Sequence, residues 1–326
     1  MKDFYKDKQI LITGGAGHIG QLLSDRLLEF NPEVVRLLDT HENGLFNLRQ
    51  KYQGIAGEKV RFLLGDIRDL NRLRYAFNGI DIVFHAAAYK HVVECEYNPI
   101  DAVETNINGT SNVIRAALEN NVQKVIFTSS DKAANPSNSM GATKLLAEKL
   151  MIAANSYRGT HGTIFACCRF GNVVRSSGSV VPLFEEQIKQ GKGITITDPD
   201  MTRFLVSNDK AIELVLRSGI LANGGEVFIF KMPSIKIDIL ADAMMQKYGT
   251  VPKKIIGKKA GEKMYEELMT EEEKLRAFEN EEMYVISPTT TDINHVSYEG
   301  FTKIDKISNS RDAEHLDKDE ILRLIE

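Results

Sequence analysis

A short apolar run, Gln9-Ile10-Leu11-Ile12-Thr13, empties directly into Gly14-Gly15-Ala16-Gly17-His18-Ile19-Gly20, and residues 21–30 then read as a helix. Strand, glycine turn and helix in immediate succession is the context that a dinucleotide fingerprint requires. The glycines satisfy two spacings at once: GxxGxxG through Gly14, Gly17 and Gly20, and GxGxxG through Gly15, Gly17 and Gly20. Small residues let the backbone approach a pyrophosphate, and the helix N-terminus supplies N–H donors and positive potential. Gly14, Gly17, His18, Ile19 and Gly20 are therefore candidate contacts to such a group. A glycine-rich turn without a ligand looks the same locally, so the strands that follow have to decide.

The next apolar run, residues 34–38, ends in Asp39, 19 residues beyond Gly20, where an acid can accept from the adenosine ribose hydroxyls. A carboxylate there repels a 2′-phosphate, which favours NAD over NADP, although Arg36 and Arg49 are near in sequence. A third run, residues 60–64, exits through Gly65-Asp66-Ile67. Asp66 and Ile67 are placed to flank an adenine, and a plain turn aspartate is the alternative. The fourth, residues 81–85, exits through Ala86, Ala87 and Ala88, whose small side chains permit close approach to a cofactor.

This alternation predicts an α/β fold, a Rossmann-type doubly wound parallel sheet with a smaller α/β substrate-binding region built from C-terminal segments. Residues 1–175 are expected to form mainly the dinucleotide-binding domain, 176–300 mainly the substrate region, and 301–326 a C-terminal tail. A helix is expected to open at Asn98-Pro99 and run to about Asn120, carrying Asn106, a candidate for a polar role near the cofactor. His85 follows three apolar residues and reads as a core histidine. Lys90 and His91, at the strand exit, are better site candidates.

The chemistry is expected in residues 129–144, where Ser130, Asp131 and Lys132 follow the apolar run 125–128 and Met140 and Lys144 open a helix. An acid, an ammonium and a hydroxyl thus sit together at a strand's carboxyl end, where open parallel sheets bind ligands. Met140 and Lys144 lie four residues apart, on one helix face. A further strand at 163–170 exits into the polar, glycine-bearing loop 171–182, which can wrap a ligand.

Composition narrows the alternatives. A net charge of −4 argues against a nucleic-acid partner. Three cysteines, two of them adjacent in an apolar run, make no disulfide framework and read as reduced. No apolar leader and no stretch of transmembrane length is present, so a soluble, cytoplasmic protein without membrane contact is expected. No HxxxH, HExxH or CxxC spacing occurs, so no catalytic metal is expected.

Taken together, Thr13-Gly14-Gly15-Ala16-Gly17-His18-Ile19-Gly20, Ala87-Ala88-Tyr89-Lys90-His91-Val92, Thr105-Asn106-Ile107-Asn108-Gly109-Thr110, Ser130-Asp131-Lys132-Ala133, Gly141-Ala142-Thr143-Lys144, Arg169-Phe170-Gly171-Asn172-Val173, Gly178-Ser179-Val180-Val181-Pro182, Thr202-Arg203-Phe204 and Gly261-Glu262-Lys263 resemble the extended short-chain dehydrogenase/reductases. Within them the chain resembles the polysaccharide-biosynthesis nucleotide-sugar 4,6-dehydratases. The resemblance implies a tightly held NAD, less readily NADP, that is reduced and reoxidised within one turnover. It also implies a UDP-sugar substrate, UDP-N-acetylglucosamine above all, surface-glycan biosynthesis, and a homo-oligomer.

Such an enzyme takes a hydride from C4, removes the C5 proton, protonates the departing C6 hydroxyl and returns the hydride to C6. The resemblance gives Asp131 as the acid and Lys132 as the base, with Lys144 on the nicotinamide ribose, Ser130 near O4 and Val173 beside the cofactor. A lysine base needs a depressed pKa, expected here from burial beside the cofactor and Lys144. The superfamily's YxxxK tyrosine is replaced by Met140, whose thioether cannot exchange a proton. That replacement resembles a branch implied to retain the C5 configuration. For the substrate, Arg203 and Lys258 are expected to meet a diphosphate, Asn172, Ser177, Gly178, Ser179 and Val180 to wrap it, Lys90 to touch the sugar and Glu262 to hold the uridine ribose. The readings set against this are a C5-inverting dehydratase, a nucleotide-sugar 4-epimerase and a non-catalytic dinucleotide-binding protein.

Overall fold

The computed structural model describes residues 1–176, 178–288, 298–306 and 309–325. In chain order the strands are β1 (Gln9–Thr13), β2 (Val34–Asp39), β3 (Val60–Leu64), β4 (Ile82–His85), β5 (Lys124–Ser130), β6 (Ile164–Phe170), β7 (Asn172–Val173), β8 (Ile194–Ile196), β9 (Thr202–Val206), β10 (Val227–Phe230), β11 (Ser234–Lys236), β12 (Lys253–Ile255), β13 (Ala277–Glu279), β14 (Met283–Ile286) and β15 (Thr302–Lys303). One sheet carries ten of them in the order β15-β13-β14-β10-β6-β5-β4-β1-β2-β3.

From β3 to β10 every pairing is parallel, and β14, β13 and β15 add on antiparallel. The doubly wound α/β expectation is met. β5 and β6 are apolar and buried along nearly their whole length because helices cover both faces of a parallel sheet. The order reverses beside β1, whose neighbours are β2 and β4, and a ligand crevice forms outside the strand ends at such a reversal. Register puts those ends level: Thr13 is opposite both Leu38 and His85, and Ser130 is opposite Phe170.

A second, smaller core gathers Val174, Val181, Phe184, Ile196, Leu205, Ile237, Leu240 and Met244 around the short sheets β11-β9-β7 and β12-β8. The packing divides the chain differently from the expected boundaries. β10, β13, β14 and β15 extend the large sheet, although they lie beyond residue 176. In the expected C-terminal tail the helix Lys318–Leu324 buries Ile321 in the small core, and Arg175 and Lys247 donate to the Ile325 carbonyl. Apolar residues at helical spacing need a partner face, and the second core supplies one. Among the described residues no helix is long and apolar enough to cross a membrane.

Candidate active site

A cavity of about 1290 Å³ runs along the carboxyl ends of the strands. It exceeds the roughly 300–1000 Å³ of a typical small-molecule pocket, which gives room for two ligands end to end. One end is the glycine turn. Gly14 adopts φ +71 and lies so close to Ala86 and Ala87 that a Cβ would sit 2.7 Å from the Ala87 amide nitrogen. Gly17 caps the helix His18–Leu28. A Cβ there would meet only the Gly14 carbonyl, at 3.2 Å, so the helix N-terminus is open to a phosphate.

Asp39 closes the ribose side. Its carboxylate accepts from the Ala16 amide at 2.9 Å and from the His41 amide at 2.9 Å, which fixes it beside the turn. Asp66 and Ile67 line the same end. Burial works against ionising Asp66, but hydrogen bonds from Arg68 win and hold its carboxyl below the usual range. The oxygens of Thr105 and Ser129, both residues of the lining, are buried without a hydrogen-bond partner among the described residues. Such orphaned groups are costly unless a ligand satisfies them. A dinucleotide therefore fits the cavity and the groups around its rim.

The turn after β5 reaches the cavity through Ser130 and Lys132. β5 ends at Ser130, whose hydroxyl donates to Asp131 Oδ1 at 2.8 Å, and residues Asp131–Ala133 form a single tight turn. Asn138 caps the helix Ser139–Tyr157 by accepting from the Gly141 amide at 2.8 Å. At Gly141 a Cβ would run into the Lys132 carbonyl oxygen, so only glycine lets the helix start pack against the turn. Met140 and Lys144, both nearly fully buried, lie in the first turns of that helix and line the same cavity as Lys132. Met140 packs with Cys95, Ala102 and Val92 and also lines the cavity.

Two lysines meet there in opposite electrostatic settings. Lys144 donates to the Thr128 carbonyl at 3.0 Å and lies 4.7 Å from the Phe127 ring centroid. Burial pushes its ammonium down to about 8. Lys132 lies 3.0 Å from Asp131 Oδ1, 3.2 Å from Asn172 Oδ1 and 3.6 Å from Glu266 Oε1. Burial alone would lower the Lys132 ammonium, but the Asp131 and Glu266 carboxylates outweigh it and hold the group above its usual value. This corrects the expected depression: Lys132 rests as a cation between two acids.

Most of the expected residues gather in the cavity, including Ala86, Ala87, Ala88, Lys90, Val173, Asn172, Gly178, Ser179, Val180, Arg203 and Glu262. Four expectations are not met as stated or fall elsewhere. Asp131, expected as the acid, is fully buried and outside the lining, which it meets only through its hydrogen bonds to Ser130 and Lys132. Asn106 is absent from the lining and fully engaged, accepting from the Tyr89 amide at 2.8 Å and donating to the Tyr89 carbonyl and Thr143 Oγ1. It clamps the strand exit to the catalytic helix instead of touching a cofactor. Lys258 is exposed outside the cavity, and its neighbour Lys259 lines it. Ser177 lies outside the described residues. Arg203 is buried with its guanidinium turned on the Thr202 carbonyl and, at 3.7 Å, on Glu266. His85 is the expected core residue, bridging Thr13 at 2.7 Å and Thr110 at 3.0 Å and pushed down to about 3 by burial.

Sequence reasoning missed Glu266, and gave Ser129 and Thr105 no role of their own within the stretches it singled out. Glu266 adjoins Glu267, and nothing local separates the buried one from the one that pairs with Lys263 at the surface.

Residues 10–288 match a protein family described as polysaccharide biosynthesis protein. The UDP-N-acetylglucosamine 4,6-dehydratase (inverting) of Campylobacter jejuni is 43% identical over 287 residues, covering 87% of this chain and 84% of that protein. The UDP-glucose 4-epimerase of Rickettsia bellii is 39% identical over 331 residues, covering 98% of this chain and 96% of that one. The X-ray structure of Pen from Bacillus thuringiensis matches with a TM-score of 0.92 at 43% identity, over 99% of both chains.

Proposed function

The chain belongs to this polysaccharide biosynthesis family, and on that premise we propose that it is an NAD-dependent nucleotide-sugar 4,6-dehydratase acting on UDP-N-acetylglucosamine. The observation that carries the reading is the Asp131–Lys132 pair, 3.0 Å apart at the end of β5, on the cavity that Lys144 also lines. Loss of water across C5 and C6 is slow until C4 is a ketone, because only then is the C5 proton acidic. Bound NAD supplies the acceptor and later the donor of the hydride.

The chain supplies the proton chemistry. Movement of one proton along the Lys132–Asp131 hydrogen bond makes both groups that elimination needs, a carboxylic acid for O6 and a free amine for C5. The amine then takes the C5 proton, the C5–H electron pair enters the C5–C6 bond, and the C6 hydroxyl leaves with the Asp131 proton as water. The pair is thereby returned to its resting charges. Ser130 holds Asp131 Oδ1 in place. In this reading Lys144, pushed down to about 8 by burial, handles the ribose or O4 proton in the absence of a tyrosine at Met140.

A 4-epimerase is the second reading, favoured by the Rickettsia relative and by the resting charge of Lys132, since epimerisation needs no base at C5. One assay separates the two. The purified protein is incubated with UDP-N-acetylglucosamine and NAD in deuterated buffer and followed by NMR. A 4-keto-6-deoxy product carrying deuterium at C5 is expected, and in product made in ordinary water a nuclear Overhauser contact between H3 and H5 reports retention, which the Met140 branch implies, its absence inversion. A C4 epimer without C5 exchange overturns the dehydratase reading.

A further inference from the structure

Glu266 comes from a segment more than a hundred residues beyond the catalytic turn, yet it faces that turn from inside the protein. It is 3% exposed, its Oε1 is 3.6 Å from Lys132 Nζ and 3.7 Å from Arg203 Nε, and its Oε2 is buried with no partner among the described residues. Its own amide is fixed by Ser310 Oγ at 2.9 Å, so the side chain has a set origin. A smaller pocket of about 460 Å³ opens on the same group, lined by Lys132, Arg203, Lys263 and Glu266. A buried, half-satisfied carboxylate is expensive to keep unless it acts on a neighbour. The neighbour with a proton to manage is Lys132.

We propose that Glu266 is a positioning residue for the proposed elimination: it holds Lys132 against Asp131 and sets the pH at which Lys132 becomes a base. Lys132 donates to Asp131 Oδ1 and Asn172 Oδ1, and Glu266 Oε1, at 3.6 Å, adds a second carboxylate charge on its ammonium without a hydrogen bond. The charged groups facing Glu266 are Lys132 and Asp131 from the turn after β5, Arg203 from β9, and Lys263 on its own segment. Burial raises the Glu266 carboxyl, with Lys132 opposing. A proton on Glu266 therefore weakens its hold on the Lys132 cation and eases the proton shift to Asp131.

This inference rests on the dehydratase reading, and the test keeps the two apart. Full-length wild type, Glu266→Gln and Glu266→Asp, each loaded with NAD, are given UDP-N-acetylglucosamine in deuterated buffer from pH 6 to 10. Transient absorbance at 340 nm reports C4 oxidation, and deuterium at C5 reports proton removal. An opposite charge within about 4–6 Å moves a pKa by roughly 1–3 units. The pH profile of C5 exchange in Glu266→Gln is accordingly expected to shift about one unit or more to lower pH. The 340 nm transient should persist, and Glu266→Asp should recover part of the shift. A Glu266→Gln profile that superimposes on wild type, or a parallel loss of both signals with no shift, overturns the inference alone. Should Glu266→Gln not fold, Glu266→Ala carries the same test, and an unmoved profile there overturns the inference. Wild type that oxidises C4 without C5 exchange removes the dehydratase reading, and the inference with it.

Discussion

At the scale of single residues the site turns on two lysines that differ in whether carboxylates outweigh burial. At Lys144 burial outweighs the pull of Glu148 and pushes the ammonium down to about 8, whereas at Lys132 the Asp131 and Glu266 carboxylates outweigh burial and hold it up. The Lys144 setting has a thermodynamic consequence. Its folded value lies below its unfolded one, so between about pH 8 and 10.5 the unfolded chain binds more protons and stability rises with pH. Lys144→Met should remove that rise. Denaturant melts of both proteins across this range are expected to show the wild type gaining on the variant by about 3 kcal/mol as pH increases. Dinucleotide binding by the variant, measured by fluorescence titration, should weaken. The lysine spacing was legible in the sequence, but the charge state was not, because Glu266 is close only in space.

At the scale of elements, most of the framework follows from local pattern. Apolar runs became strands, the glycine turn became the first crossover, and residues 129–144 became strand end, turn and helix start. The expected helix from Asn98 to Asn120 is present with an interruption: Pro99–Val103 and Gly109–Glu119 flank a wider turn over Glu104–Asn108. That wider turn carries the Asn106 side chain that clamps Tyr89 and Thr143. Gly141 is the hinge of the arrangement on the other side. Gly141→Ala should force the helix start away from the Lys132 carbonyl, and overpacking of this kind costs roughly 1–3 kcal/mol. Thermal melts should register that cost. Dehydration is expected to fall far more than dinucleotide affinity, since the glycine turn is untouched.

At the scale of the whole molecule a buried cation ties the segment around Leu268 and Glu273 to β6 and the helix Ser139–Tyr157, beside the strand pairing that β10 makes with β6. Arg169, fully buried in β6, donates to Glu148 Oε2 at 2.6 Å, to Glu273 Oε1 at 2.9 Å and to the Leu268 carbonyl at 2.8 Å. Burial would raise the Glu273 carboxyl, but Arg169 overrides it and brings it down to about 2. Removing one partner of such a network leaves buried charges uncompensated, at about 3–5 kcal/mol. Arg169→Leu should show that loss in denaturant titrations. Because residues 266–273 hang on this contact, the variant is also expected to lose C5 exchange before it loses dinucleotide binding.

The sequence by itself determined the doubly wound α/β frame, the glycine turn with Asp39, and the cluster Ser130, Asp131, Lys132 and Lys144. Each of these is written in neighbours along the chain, where period, spacing and turn chemistry operate. Only the tertiary structure decided that Asn106 is a clamp, that the residues after 300 seal a core, and that Lys132 stands between Asp131 and Glu266. Burial and Coulomb attraction act through distance in space, and the groups that set the charge of the catalytic lysine lie at positions 131, 203 and 266.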